Sequence, residues 1–317
     1  MKMKTTMRGA ACALVLAGLG ACGGGGGGSS DRDEAAATGD LTAENYAAST
    51  DAAYATVELS SELSAMMSET VQAQSVPASR SAALTPVGVQ RLVLERVRQG
   101  SREQAQAAEP VTQPCDGGGS LSITESGFDD GISRGDKVTV VANGCKESAD
   151  DLPMTGSLTA TVTAASETST SASFSLAFQF SAFGSSELRF NGGVNISATG
   201  TDSESRVSID YNGLTVTSAA GTQQWRHTVV EQSANGGTKL KLGGLVQVRS
   251  DFYRLEQAAD FGVSGTHLVS GSLRLVDRQG DYALITGGAE ALSYSFFPAG
   301  SSAPTGSPVT RPHSSLQ

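Results

Sequence analysis

Ser173-Phe174-Ser175-Leu176-Ala177-Phe178-Gln179-Phe180 alternates apolar and small or polar residues without a break. Successive side chains of an extended chain point to opposite faces. Phe174, Leu176, Phe178 and Phe180 therefore make one apolar face, while the serines, Ala177 and Gln179 make a hydroxyl-rich one. The same period returns at Leu158, Ala160 and Val162, at Leu188, Phe190, Val194 and Ile196, and at Leu292, Tyr294 and Phe296. Parallel sheets covered on both sides read as continuous apolar runs separated by helical patterns, and neither is present, so the strands are antiparallel and half-buried.

Turn chemistry supplies the connections. Asn212-Gly213 favours a two-residue hairpin that pairs Tyr211 with Leu214, Ile209 with Val216 and Val207 with Ser218, placing Val207, Ile209, Tyr211, Leu214 and Val216 on one face. Further hairpins are expected around Asn235-Gly236-Gly237 and around Gly280, the latter joining Leu273 and Leu275 to Tyr282 and Leu284. Ten or more such strands need a second layer over their apolar face. The expected fold is mainly β (α+β): a strongly bent antiparallel sheet over residues 111–297, a partial barrel or sandwich, with one or two N-terminal helices packed on it.

Those helices belong to a segment spanning 41–110. Ala52, Ala55, Leu59, Leu63 and Met66 fall at spacings of three and four, an apolar helical stripe. A second helix starts at Thr85 with Pro86 in its first turn and runs toward Arg98, burying Val89, Leu92, Val93 and Val97. Its other side carries Arg91, Arg96, Arg98 and Arg102, interrupted by Glu95 and Glu103, so it reads either as a lipid-contacting or as a solvated face. Residues 298–317, with Pro304, Pro308 and Pro312 among serines and glycines, read as a disordered tail.

The 317 residues are 38% hydrophobic and only 5% aromatic, with 38 glycines, which describes a lean, turn-rich chain. A formal net charge of -10 argues against nucleic acid, whose phosphates need a basic stripe. A transmembrane barrel would also alternate, but it would carry aromatic girdles, and this chain has one tryptophan, Trp225.

Lys2, Lys4 and Arg8 precede a short apolar run from Ala10 to Leu19, too short for a membrane span and arranged as an export signal. Leu19-Gly20-Ala21-Cys22 then resembles the lipobox of bacterial lipoproteins. The resemblance implies a signal peptide over 1–21 and acylation of Cys22, with palmitate among its chains. Two or more chains at about 0.8 kcal/mol per buried CH2 give stable attachment. Gly23 stands where many enteric lipoproteins carry the aspartate that retains them in the inner membrane, so the outer membrane is implied, with the body facing periplasm or cell surface. Gly23 to Gly28 with Ser29 and Ser30 make a flexible tether within 22–40. A phosphate-cradling loop would need a strand before it and a helix after it.

Of the four cysteines, Cys12 leaves with the signal and Cys22 sits at the junction, so Cys115 and Cys145 remain in the body. An oxidising compartment would join them; in the alternative reading they are two free buried thiols. Between them, Glu125, Asp129 and Asp136 stand at the first, fifth and twelfth places of a calcium-loop-like segment. Gly127 replaces its third ligand, and the turn glycine comes one place late. The bland reading is an acidic turn before a strand at Val138 to Val141. The stretch from Cys115 to about Thr155 is similar to segments of uncharacterised proteobacterial lipoproteins, a resemblance that brings no activity with it.

No complete catalytic frame stands out in the sequence. His227, His267 and His313 stand in no metal-binding spacing, the G-x-S-x-G spacing at Gly131-Ile132-Ser133-Arg134-Gly135 is followed by a strand pattern and not by the helix a nucleophile elbow needs, and the adjacent Asp129 and Asp130 point apart on an extended chain. Trp225 and His227 share a strand face, either lining a pocket or as core and rim. The expectation is a non-catalytic, lipid-anchored envelope protein without cofactors, calcium apart, in a structural or interaction role. Its partners would be the membrane through its N-terminal lipid and an envelope protein. The alternative is a carrier or receptor holding an apolar ligand in a curved sheet.

Overall fold

The computed structural model describes residues 37–57, 60, 110–128, 132–168, 171–201, 203–218, 221–234, 237–264 and 267–313. Cys22, the tether and the second expected helix lie outside the described residues.

Alternation becomes a single antiparallel sheet of fifteen strands. These are β1 (Val111–Pro114), β2 (Ser120–Ser126), β3 (Lys137–Cys145), β4 (Met154–Glu167), β5 (Ser171–Gly184), β6 (Leu188–Thr201), β7 (Glu204–Asp210) and β8 (Leu214–Ser218). They continue as β9 (Gly221–Ala234), β10 (Gly237–Val248), β11 (Asp251–Ser264), β12 (His267–Val276), β13 (Tyr282–Gly287), β14 (Ala291–Phe297) and β15 (Thr305–Pro312). Each pairs with its neighbours in sequence except β7 and β8, which lie end to end between β6 and β9.

Register keeps the apolar face continuous across strands. Val162, Leu176, Ile196, Ile209, Val229 and Leu242 stand in one row from β4 to β10, and all are buried. They belong to one core cluster running from Leu41 to Phe296. One sheet thus lines a whole core with one face, which requires it to curl around that face. Register shifts between β4 and β5, β5 and β6, β10 and β11, and β11 and β12 supply bends, because an extra residue on one strand kinks it. The curl stays open: β1 and β15 each pair on one side, among the described residues. Pro114 in β1, and Pro308 and Pro312 in β15, withhold donors from these edges and blunt them against further strands.

Helix α1 (46–57) fills the concave side. Thr42 is its cap: the Thr42 hydroxyl accepts the Asn45 N–H while the Asn45 side-chain oxygen accepts the Thr42 N–H, a reciprocal capping box. Leu41 and Tyr46, on either side of this cap, are both buried as a hydrophobic staple. Tyr46, Thr50, Ala53, Tyr54 and Val57 turn inward, and Tyr46 stacks on Phe296 at 5.6 Å. The expected helix is present, but its stripe differs. Ala55 is exposed and Ala52 only half-buried, because the tyrosines and Val57 bury more apolar area than alanines do. Leu59, Leu63 and Met66 lie outside the described residues.

Two further readings are corrected. The Asn212-Gly213 hairpin does not form, since β7 and β8 share one strand row instead of pairing with each other. Segment 298–317 carries β15, because the open edge of β14 offers unpaired backbone groups and an exposed edge strand tolerates serine and proline. The hairpin around Gly280 forms as expected, β12 pairing with β13; within it Leu273 and Leu275 meet Ile285 and Ala283, and Tyr282 and Leu284 face the other side. The hairpin at Asn235 to Gly237 is as expected, with Ala234 opposite Gly237.

Candidate functional site

The residues between β7 and β8 hold one position more than either neighbouring strand. Asp210 and Thr215 are five positions apart, while their partners Asn195 and Asn191 on β6 are four apart. This is a bulge. Gly213 takes a left-handed φ of 81°, which admits glycine at little cost, and its N–H reaches the Trp225 carbonyl at 2.9 Å. The extra residue shifts the alternation, so Tyr211 and Leu214 both face inward.

Inward of that bulge lie three rings. Tyr211 packs edge-on to Trp225 at 5.2 Å and tilted on His227 at 4.9 Å, and the Trp225 and His227 rings are 5.6 Å apart. Across the sheet His227 faces Gly244, where an added Cβ would come within 2.7 Å of the His227 Cα. The Tyr211 hydroxyl donates to the Ser60 carbonyl at 3.2 Å, tying the cluster to the helical segment. Each ring is at most 1% exposed.

Among the described residues the indole N–H of Trp225 and both ring nitrogens of His227 have no hydrogen-bond partner. A buried polar atom without a partner costs on the order of 1–3 kcal/mol, so this is an expensive place for an imidazole. Burial pulls the His227 pKa down to about 3 and pushes the Tyr211 hydroxyl far above its usual range. The imidazole is neutral at physiological pH, and the cluster offers hydrogen-bonding capacity in a buried, uncharged setting.

A second polar feature lies where residues 38–49 meet the β10–β11 turn. A pocket of 180 Å³ opens there, lined by Asp40, Asn45, Ser49, Arg249, Asp251 and Tyr253 among others. Its wall is pinned from several sides. Asp277 accepts N–H groups of Leu41, Gln279 and Asp281, and Asp40 pairs bidentately with Arg278 at 2.7 Å. Farther along α1, Asp51 pairs with Arg311 of β15 at 2.9 Å, and Thr56 donates to Gln223 at 3.0 Å.

Cys115 and Cys145 form a disulfide with Cα atoms 5.5 Å apart, joining the end of β1 to the end of β3. Closing a loop of that separation is worth about 3.6 kcal/mol in the chain-entropy account. Glu125 sits on β2 opposite Val138, and Asp129 lies outside the described residues. The Asp136 carboxylate accepts the Ser133 N–H at 2.6 Å, closing a turn. A Cβ on Gly127 would lie 2.2 Å from the other Asp136 oxygen, and the left-handed φ of 88° at that position also favours glycine. Among the described residues no three His, Cys, Asp or Glu side chains gather as a metal group.

Trp225 and His227 share a face as read from their spacing, and both are core. Their contact with Tyr211 was hidden because the Asn-Gly signal reads as a turn. The role of Asp277 has only one sign in the sequence, its spacing of four from Asp281 in a glycine-containing turn. No family model, no curated protein and no solved structure matches this chain.

Proposed function

We propose that this chain is a non-catalytic lipoprotein, held on the outer membrane by acylated Cys22, whose β body has a structural or interaction role at the envelope. The observation that favours this reading over carriage is the occupancy of the concave face. Helix α1 fills it with Tyr46, Ala53, Tyr54 and Val57 and is tied to the sheet through Asp51–Arg311, Thr56–Gln223 and Ser60–Tyr211. An apolar ligand would have to displace those contacts.

The test is expression of the full chain in a Gram-negative host fed labelled palmitate, followed by separation of inner and outer membranes. Label should travel with the protein in the outer-membrane fraction, and Cys22→Ser should lose the label and release the body into the periplasm. Membrane retention of unlabelled Cys22→Ser protein refutes the anchor. A second reading, the carrier, draws on the unpartnered nitrogens of Trp225 and His227, which a guest entering beneath α1 would meet. Native mass spectrometry of protein from its own envelope distinguishes the two, since a stoichiometric co-purifying molecule favours carriage.

A further inference from the structure

The convex face of β9 to β14 carries its own apolar cluster, separate from the main core. Leu245 and Val276 point outward by alternation, yet they are only 3% and 4% exposed and lie outside the core cluster. Register places them in a row with Arg226, Arg254, Tyr282 and Phe297. Around them the long side chains stack in pairs. The Arg226 guanidinium lies 5.0 Å from the Phe252 ring centre, and that of Arg274 lies 4.8 Å from Tyr282. Tyr282 in turn stacks flat on Phe297 at 4.7 Å.

Such stacking has two consequences. A guanidinium resting on a ring is held in place and stripped of water on one side, while its N–H edge stays free for bidentate contact with a carboxylate. The rings, covered by guanidinium or by each other, offer their electropositive edges instead of their faces. Arg254 is neutralised by Glu256 at 2.8 Å; Arg226 and Arg274 are exposed and form no ion pair among the described residues, although Glu256, engaged by Arg254, stands opposite Arg274 in register. On a chain of net charge -10, two preorganised cations over a buried apolar floor form a local site of opposite sign. Aromatic residues and arginine are also the types that concentrate at protein interfaces.

We infer that this convex face docks an acidic polypeptide segment of a partner protein, its carboxylates seated on Arg226 and Arg274. The inference rests on the interaction role proposed above and names the surface and the partner's chemistry. It is tested with the purified, disulfide-intact full-length protein and a fluorescein-labelled peptide of alternating glutamate and serine, read by anisotropy at low salt. A lysine–serine peptide, polygalacturonate and phosphatidylglycerol vesicles serve as comparison ligands.

The expected result is saturable binding of the glutamate peptide that weakens with salt. Arg226→Gln/Arg274→Gln should weaken it at least tenfold, and Arg206→Gln on β7 should leave it unchanged. Circular dichroism melts of each variant exclude unfolding as the cause. Absence of saturable binding overturns the inference, as does binding indifferent to the double substitution. Tighter binding to polygalacturonate or to vesicles also overturns it, in favour of a polysaccharide or a lipid surface. These outcomes are separable from the anchor: failure of the palmitate experiment leaves peptide binding untouched, and loss of peptide binding leaves acylation untouched.

Discussion

Replacing His227 with phenylalanine should make the protein less sensitive to acid. In the folded state the imidazole titrates near pH 3 because burial disfavours its charged form, whereas in the unfolded chain it titrates near the ordinary value of 6.5. The unfolded state therefore binds more protons between those limits, and stability falls as pH drops through that window. The slope is about 1.4 kcal/mol per pH unit, so two units below 6.5 remove about 2.7 kcal/mol. Carboxylates elsewhere contribute equally to both proteins and cancel in the difference. Phenylalanine keeps an aromatic ring, although a larger six-membered one, does not titrate, and removes two nitrogens beside Tyr211 and Trp225 that are unpartnered among the described residues. The assay is urea unfolding of oxidised wild type and His227→Phe at pH 7.5, 6.5, 5.5 and 4.5, comparing free energies by linear extrapolation. The expectation is a stability difference, variant minus wild type, that shifts in the variant's favour from pH 7.5 to pH 4.5, whatever constant offset the larger ring adds. Parallel stability curves over that range would refute the reasoning.

Two further perturbations probe the frame that holds this cluster. Inserting two glycines between Asn212 and Gly213 would be harmless at a hairpin tip but should abolish cooperative melting here, since the pair lies inside a row flanked by β6 and β9. A melting temperature near that of the wild type would restore the hairpin. Asp277→Ala strands three backbone N–H groups, those of Leu41, Gln279 and Asp281, and should cost roughly 3 kcal/mol in urea unfolding. A change below measurement error would mean that the strap before α1 is held by its other contacts alone.

Strand periodicity was legible wherever one side of a strand met the core and the other met water. Leu176, Phe178 and Phe180 are buried as their alternation requires, and so are Leu158, Ala160 and Val162. The Asn212-Gly213 reading shows where that legibility stops. A two-residue turn and a one-residue bulge both bring Val207, Ile209, Tyr211, Leu214 and Val216 to one face, so the pattern is identical and only the pairing partners differ. Tertiary context chose the bulge, because β6 and β9 are both long enough to cover β7 and β8 in succession. The cluster of Tyr211, Trp225 and His227 follows from that choice.

The same division holds at both ends of the body. Local composition suggested disorder after Pro298, yet β14 recruited β15 through backbone pairing, to which side-chain polarity is nearly irrelevant at an exposed edge. Alanine spacing located α1 but not its buried side, which the concave sheet selected by taking the tyrosines. The chain alone determined what depends on neighbours a few residues away: period, turn chemistry and the placement of cysteines. Assembly decided what depends on contacts between distant strands: the bulge, the helix that fills the curl, and the stacked arginines on the convex side. Those arginines come from β9 and β12 and meet their rings on β11 and β13, and no spacing along the chain announces that contact.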